Sequence, residues 1–187
     1  MLALQGDARE HLRALDSAGA TPVEVKTAAQ LGGVDALVLP GGESTTIGKL
    51  LDRFELIEPL RERANDGVPL YGTCAGLILM ATEILGSQDA PHRLGVMDVG
   101  VRRNAYGRQV DSFESELEVK GLDASFTAVF IRAPVIERVG DGVEVLATSD
   151  EVPVLVRQGH LMASSFHPEM TGDARLHEMF VRAVRGN

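Results

Sequence analysis

The chain is poor in cysteine, in positive charge and in long apolar segments. Cys74 is its one cysteine, which excludes an internal disulfide framework and a multi-cysteine metal site. Lys and Arg number 18 against 27 Asp and Glu, a net charge of −9 that repels nucleic-acid phosphates. Apolar runs such as residues 75–81 are too short to span a membrane, and residues 1–6 do not read as a signal peptide. We therefore expect a cytoplasmic protein with neither nucleic acid nor membrane as a partner.

The composition is that of an ordinary globular protein. The chain has 187 residues, enough for a sizeable core, and 44% of them are hydrophobic. No internal repeat or low-complexity tract is present, and glycine and proline are spread along the chain rather than gathered in a linker. The sequence therefore predicts one domain over residues 1–187.

Hydrophobic patterning differs between the two halves of the chain. In the first half, short apolar runs at residues 2–5, 36–39 and 69–72 alternate with helical patterns, one of them continuing from Leu77 to Ile84. This alternation predicts parallel strands covered by helices. In the second half, apolar residues recur at every second position, which predicts antiparallel or mixed strands before an amphipathic helix over residues 174–184. The predicted fold is α/β: a three-layer sandwich with a mostly parallel central sheet, helices on both faces and extra antiparallel β-structure.

The sequence around Cys74 is typical of a nucleophile elbow. The segment Gly72-Thr73-Cys74-Ala75-Gly76 follows an apolar strand and precedes a helix. A tight strand-to-helix turn projects the thiol above the sheet at a helix N-terminus, where the helix dipole favours a thiolate. The N–H of Ala75 is then available to bind an oxyanion. The alternative is a buried structural cysteine, which lone cysteines often are.

His167 is the candidate base for such a nucleophile. It ends an apolar run and precedes Pro168, which favours an extended backbone at residue 167. Since residues i and i+2 of an extended segment point to one side, Glu169 is placed to orient the imidazole. A loop histidine beside a solvated glutamate remains the alternative. The other histidines are predicted to lie on the surface: His11, His92, His160 and His177.

A glycine loop at residues 39–46 follows a predicted buried strand and precedes a helix. Backbone N–H groups in such a loop bind anions or complete an oxyanion hole, which makes Gly41 a candidate beside Ala75. The loop lacks the lysine of a phosphate-binding P-loop and the three-glycine dinucleotide pattern. An ordinary turn with a Ser/Thr helix cap is the alternative.

Taken together, these motifs resemble the class I (triad) glutamine amidotransferases. The resemblance is closer still to the PdxT/SNO family, the glutaminase subunits of pyridoxal 5′-phosphate synthase, and it extends over nearly the whole chain. The segments that carry it are Leu4-Gln5-Gly6 and residues 39–46, 72–76, 103–114, 130–134 and 165–169. The elbow and the His-Pro-Glu segment occur in many amidotransferases, whereas residues 103–114 and 130–134 are much more specific.

The resemblance implies a reaction and a set of residues. Cys74 would attack the side-chain amide of L-glutamine, and His167, oriented by Glu169, would move the protons. A glutamyl thioester would form and be hydrolysed by water. The residues that match the glutamine-binding positions of the family are Gly42, Glu43, Ser44, Arg103, Ile131 and Arg132. Taken alone, Arg103 is equally explained as a surface charge beside Arg102.

The resemblance also implies a partner. In this family the ammonia passes to a separate synthase subunit, a (β/α)8 barrel, within a large hetero-oligomer, and the glutaminase is weak until that subunit docks. Pyridoxal 5′-phosphate is the product of the assembly, so no cofactor and no metal is expected on this chain. Only three residues precede Leu4, fewer than in most members, so either the start is misassigned or trimmed, or the first strand is short.

Other functions stay open at this stage. A γ-glutamyl hydrolase or another cysteine hydrolase of the same fold would keep the nucleophile, although residues 103–114 argue against it. A catalytically silent regulatory subunit would be expected to lack Cys74, His167 or Glu169, and all three are present.

Overall fold

The computed structural model describes residues 1–86, 92–103 and 112–186. Its α-helices are α1 (Ala8–Ser17), α2 (Ala28–Leu31), α3 (Ser44–Arg53), α4 (Ile57–Asn65), α5 (Ala75–Met80) and α6 (Arg175–Arg185). Its strands are β1 (Leu37–Leu39), β2 (Leu70–Thr73), β3 (Ala81–Leu85), β4 (Met97–Arg102), β5 (Phe113–Leu117), β6 (Phe126–Phe130), β7 (Val135–Val139), β8 (Glu144–Ser149), β9 (Val152–Gln158) and β10 (Leu161–Ser164). A short 3₁₀ helix covers Pro168–Met170.

The central sheet has the strand order β1-β2-β10-β9-β8. β1, β2 and β10 run parallel to one another, whereas β9 and β8 continue the sheet in antiparallel fashion. β10 comes late in the chain, yet it pairs directly with β2. This pairing places residues 165–169 beside the end of β2, where the cysteine elbow begins.

Alternation along the strands divides the core between the two faces of the sheet. Leu37 and Leu39 of β1 pack on one face with α2, α3, α4 and α5, whereas Val38 packs on the other face with α1 and α6. The same alternation holds in β2, where Leu70 and Tyr71 face opposite ways. Because both faces are covered, every residue of these two strands is buried. The predicted α/β fold with helices on both faces is confirmed.

The extra β-structure of the second half forms two further sheets. One has the order β3-β4-β7, and the other is the antiparallel pair β5-β6. The β5-β6 pair is attached to the site segment, because the N–H of His167 donates a 2.9 Å hydrogen bond to the carbonyl of Val129 in β6. The predicted antiparallel additions therefore help to fix the position of His167.

Two local predictions are wrong. The run at residues 2–5 forms no strand: Leu2 makes an isolated parallel bridge with Val25, and its N–H donates a 2.9 Å hydrogen bond to the carbonyl of Val38 in β1. The helix expected from Leu77 to Ile84 ends at Met80, because Ala81 is extended and residues 81–85 pair with β4 as strand β3. A short apolar segment fits either a helix or a buried strand, and pairing with β4 decided between them.

No helix in the described ranges, 1–86, 92–103 and 112–186, is long and apolar enough to cross a membrane.

Candidate active site

Cys74 lies at the turn between β2 and α5 in a backbone conformation that is rare for a side-chain-bearing residue. Its φ is 48° and its ψ is −99°. Left-handed conformations of this kind are strained in non-glycine residues and persist only where the surroundings hold them. Here the N–H of Cys74 donates a 2.8 Å hydrogen bond to the carbonyl of Ser164, at the end of β10. The nucleophile turn is thus held by the strand that leads to His167.

The glycines of the elbow are required by close backbone approach. A Cβ on Gly76 would lie 2.2 Å from the carbonyl oxygen of Leu39, at the end of β1. A Cβ on Gly72 would lie 2.7 Å from the carbonyl carbon of Gly76. Both distances are shorter than any normal contact, so only glycine lets the first turn of α5 pack this tightly against β1 and β2.

The structure brings His167 and Glu169 together. Nδ1 of His167 lies 2.7 Å from Oε1 of Glu169, and both side chains are almost fully buried. The other ring nitrogen, Nε2, does not contact Glu169, and Cys74 is the second side chain whose interaction raises the pKa of the imidazole. The three residues therefore form a continuous chain from carboxylate to imidazole to sulfur. Cys74 and Glu169 are 7% and 6% exposed, so this chain is shielded from water.

The charge state of His167 follows from these contacts. Burial by itself lowers the pKa of the imidazole. Hydrogen bonds to Cys74 and Glu169, together with their negative charges, outweigh burial and raise the pKa of His167 to about 10. His167 is therefore an imidazolium at neutral pH, and it stabilises negative charge on the neighbouring sulfur.

Two backbone N–H groups lie close to the sulfur and the imidazole. Ala75 is the first residue of α5, and neither its N–H nor that of Gly41 donates a hydrogen bond to another described residue. Gly41 lies directly against the imidazole: a Cβ there would be 2.4 Å from Cε1 of His167. Groups of this kind are suited to bind negative charge on an oxygen atom.

The glycine loop and Arg103 form the exposed side of the site. Glu43 caps α3, where its carboxylate accepts hydrogen bonds from the N–H groups of Thr45 and Thr46 at 3.0 and 2.7 Å. Nη2 of Arg103 lies 2.9 Å from Oγ1 of Thr45 and 3.5 Å from Oε1 of Glu43. Burial raises the pKa of Glu43, but the hydrogen bonds from Thr46 and Thr45, with Thr46 contributing most, outweigh it and lower that pKa to about 2. Arg103 is thus beside the loop and not merely a surface charge next to Arg102.

The remaining predicted substrate residues are placed around this loop and across from it. Gly42 precedes Glu43 in an exposed turn, and Ser44 is the buried first residue of α3. The carbonyl oxygen of Ile131 lies 4.0 Å from Sγ of Cys74. Arg132 follows in a left-handed conformation with φ 48° and is exposed. Residues 104–111, which belong to the family-specific segment 103–114, lie outside the described residues.

Two histidines that sequence reasoning assigned to the surface are buried beside the site. His11 of α1 and His177 of α6 are both 0% exposed. Nε2 of His11 lies 3.2 Å from Oε2 of Glu169, and Nδ1 lies 2.9 Å from Nε2 of His177. A signal for burial is present in the sequence: His11 precedes the buried Leu15 by four residues, and His177 precedes Phe180 by three.

One group of side chains has metal-ligand geometry. Asp7, His167 and Glu169 each offer one atom, and the three atoms lie within 4.8 Å of one another. Nδ1 of His167 and Oε1 of Glu169 are already hydrogen-bonded to each other, and Asp7 is exposed. We therefore interpret Asp7 and Glu169 as two carboxylates beside the imidazolium of His167 and not as ligands of a metal ion.

Comparison with known proteins gives a consistent result. A sequence model of the SNO glutamine amidotransferase family matches residues 1–186. The pyridoxal 5′-phosphate synthase subunit PdxT of Frankia casuarinae is 58% identical over 188 residues, which cover 100% of this chain and 94% of that protein. The protein of the same name from Mycobacteroides abscessus is 57% identical over 185 residues, covering 99% of this chain and 96% of that protein.

Solved structures agree with these relatives. A crystal structure of a glutamine amidotransferase, 54% identical, superimposes with a TM-score of 0.93 and covers 98% of this chain and 97% of that chain. A chain of PurLQS from Thermotoga maritima has the same fold at 17% identity, with a TM-score of 0.71 and coverage of 97% and 93%. The resemblance seen in the sequence is confirmed: this chain belongs to the SNO glutamine amidotransferase family.

Proposed function

We propose that this chain is the glutaminase subunit of a pyridoxal 5′-phosphate synthase and hydrolyses L-glutamine to glutamate and ammonia. The observation that carries the proposal is the buried chain from Glu169 through His167 to Cys74, with Cys74 held in a strained elbow. Membership of the SNO family and the name PdxT of its relatives support the same activity.

The reaction follows from the positions of the proposed triad. Sγ of Cys74, as a thiolate, attacks the carbonyl carbon of the glutamine side-chain amide. Negative charge then develops on the carbonyl oxygen, where the N–H groups of Ala75 and Gly41 form the proposed oxyanion hole. His167 transfers its Nε2 proton to the leaving nitrogen, and the C–N bond breaks to release ammonia and leave a glutamyl thioester.

The second half of the reaction uses the same groups in the opposite sense. Neutral His167 takes a proton from water, whose oxygen attacks the thioester carbonyl. The C–S bond breaks, glutamate leaves, and the Cys74 thiolate and the His167 imidazolium are restored. Glu169 holds Nδ1 of His167 throughout, so that Nε2 always faces the reacting atoms.

Glutamine recognition is assigned to the exposed side of the site. A free amino acid presents a carboxylate and an ammonium group, and Arg103 lies beside the loop at a position suited to hold the carboxylate. We assign the remaining contacts with glutamine to a group of residues in the loop and across from it: Gly42, Glu43, Ser44, Ile131 and Arg132.

The proposed partner is the synthase subunit that uses the ammonia. PdxT relatives are named as subunits of pyridoxal 5′-phosphate synthase, which supports an equivalent assembly for this chain. We propose that it docks in the cytoplasm as a single domain onto a (β/α)8-barrel subunit within a hetero-oligomer. Neither a cofactor nor a metal is part of the proposed chemistry of this chain.

The test is release of glutamate from L-glutamine by the chain alone and after mixing with the synthase subunit of the same organism. We expect hydrolysis that increases on mixing, and we expect Cys74→Ala to lower it by at least about 1,000-fold. Binding of Cys74→Ala to the synthase subunit, measured by sedimentation, is expected to be unchanged. Retention of hydrolysis in Cys74→Ala would exclude the mechanism, and absence of hydrolysis in the wild-type mixture would exclude the activity.

A further inference from the structure

We propose that His11 is a positioning residue for Glu169, and that His177 holds His11 in the tautomer this role needs. The two histidines extend the buried chain behind the triad, in the order His177, His11, Glu169, His167 and Cys74. The inference rests on the proposed function, because it assigns a role to the far side of the proposed catalytic carboxylate.

The two carboxylate oxygens of Glu169 differ in their hydrogen-bond partners. Oε1 is hydrogen-bonded to His167 at 2.7 Å. Oε2 is fully buried and accepts no well-aligned hydrogen bond, but Nε2 of His11 lies 3.2 Å from it. A buried carboxylate oxygen without a donor costs free energy. Among the described residues, His11 is the group positioned to supply that donor.

Nε2 of His11 has a second neighbour. It lies 3.1 Å from Oγ1 of Thr73, the residue that precedes the nucleophile. An N–H at this position is therefore shared between the Thr73 hydroxyl and the Glu169 carboxylate, and a charged acceptor gives the stronger interaction. The same imidazole thus connects α1, the end of β2 and the segment that carries Glu169.

The hydrogen bond between the two histidines decides which nitrogen of each carries the proton. If His177 donates from Nε2, then Nδ1 of His11 accepts at 2.9 Å and Nε2 of His11 bears the proton that faces Glu169. In the opposite arrangement, Nε2 of His11 would present a lone pair to the carboxylate. Nδ1 of His177, which is buried without a partner, would then carry an unsatisfied N–H. The first arrangement avoids both costs.

Both histidines are neutral, as this arrangement requires. Burial lowers the pKa of His11 well below its usual value, and unfavourable electrostatic interactions with His177, His167 and the N-terminus act in the same direction. Burial lowers the pKa of His177 to about 4. Neutral His177 therefore donates to His11, and neutral His11 turns its Nε2–H toward Glu169. Among the described residues, the cation bonded to that carboxylate is the imidazolium of His167.

The consequence is orientation of the triad. Glu169 is held at both oxygens, by His167 on one side and by His11 on the other. Loss of the His11 donor frees Oε2 to rotate toward another partner, and Oε1 then turns away from Nδ1 of His167. Small displacements of this kind lower catalytic rates without changing the affinity for substrate.

Three variants test the proposal in the complex with the synthase subunit. His11→Leu removes the donor, His11→Gln keeps an N–H near the position of Nε2, and His177→Leu removes the group that fixes the tautomer. We expect His11→Leu to lower kcat by about 10- to 100-fold with KM within about two-fold. We expect His11→Gln to recover kcat to within about three-fold of wild type, and His177→Leu to lie between the two.

Thermal melting of the same variants separates positioning from packing. Leucine fills the buried site at position 11, so a merely structural role predicts that activity follows the melting temperature in all three variants. Recovery of kcat by His11→Gln without recovery of the melting temperature supports positioning. Equal kcat in His11→Leu and wild type would overturn it.

A spectroscopic measurement tests the positions of the protons on His11 and His177 without an activity assay. In ¹⁵N-histidine spectra of the wild-type chain, we expect His11 and His177 as neutral Nε2–H tautomers, and we expect the pKa of His167 to fall in His11→Leu. A neutral Nδ1–H tautomer of His11, or a His167 titration unchanged in His11→Leu, would overturn the inference. If the wild-type complex hydrolyses no glutamine, the proposed function fails, and these spectra still show whether the arrangement exists.

Discussion

The site has a dry side and a wet side, and they are built differently. The dry side consists of buried side chains that are at most 7% exposed, each beside the next: His177, His11, Glu169, His167 and Cys74. On the wet side, Gly42 and Glu43 of the glycine loop and Arg103 lie in or near solvent, and the carboxylate of Glu43 is about half exposed. The first side depends on fixed geometry in a low dielectric, and the second on charges that solvent can screen.

This difference indicates how the two tasks of the proposed enzyme are separated. Bond breaking requires atoms held within a fraction of an ångström, which packing and complete hydrogen bonding provide. Capture of a charged amino acid requires access from solvent, so its residues remain exposed. Substitutions on the dry side should therefore change kcat, whereas substitutions on the wet side should change KM.

After the loss of Cys74 itself, the largest effect is expected from a single methyl group on Gly41, the buried glycine of the loop that lies against the dry side. In Gly41→Ala the added Cβ would lie 2.4 Å from Cε1 of His167, which is too close, so the imidazole must move. We expect kcat for glutamine hydrolysis to fall by at least about 100-fold. Gly33→Ala is the matched control, because its Cβ meets nothing closer than 3.6 Å. Equal activity of the two variants would show that the ring tolerates displacement.

A smaller effect, on KM, is expected from the wet side. Arg103→Leu removes the proposed partner of the glutamine carboxylate, so we expect KM to rise by about 10- to 100-fold and kcat to stay within about three-fold. The neighbouring Arg102 pairs instead with Glu137, at 2.9 Å, so Arg102→Leu is the control and should leave both constants near wild type. A fall in kcat without a change in KM would place Arg103 on the catalytic side of the comparison.

The smallest effect concerns stability in acid. The pKa of buried His177 is about 4, below its usual 6.5, so the unfolded chain binds more protons than the folded one between these values. The free energy of unfolding therefore falls as the pH drops from 6.5 to about 4. At about 1.4 kcal/mol per pH unit, the contribution of His177 is up to about 3 kcal/mol.

Urea unfolding at pH 7, 5.5 and 4.5 measures this loss. We expect a smaller loss in His177→Leu, which has no group to protonate at that position. The loss between pH 7 and pH 4.5 is compared within each protein, so that a change in packing at position 177, which acts at every pH, cancels. A wild-type curve that is flat across this range would show that His177 is not buried as a neutral group.

The sequence and the tertiary contacts contributed different parts of this site. The elbow around Cys74 and the two-residue spacing of His167 and Glu169 are local patterns, so each could be predicted from neighbouring residues. The pairing of β10 with β2 is a tertiary contact, and it places the two patterns side by side. The end of α5 at Met80 could not be predicted from neighbouring residues. Pairing of residues 81–85 with β4 outweighed the weak helical preference of that segment.

What the sequence by itself determined is the α/β fold, the family and the residues proposed for chemistry, since each is encoded in periodicity or in short motifs. Only the tertiary structure brought His11 and His177, 166 positions apart, to 2.9 Å behind Glu169. It also placed Arg103 beside the loop and bonded His167 to β6. A polar residue on a helix is exposed by default, and it becomes a buried donor only where another element packs over it and offers a partner.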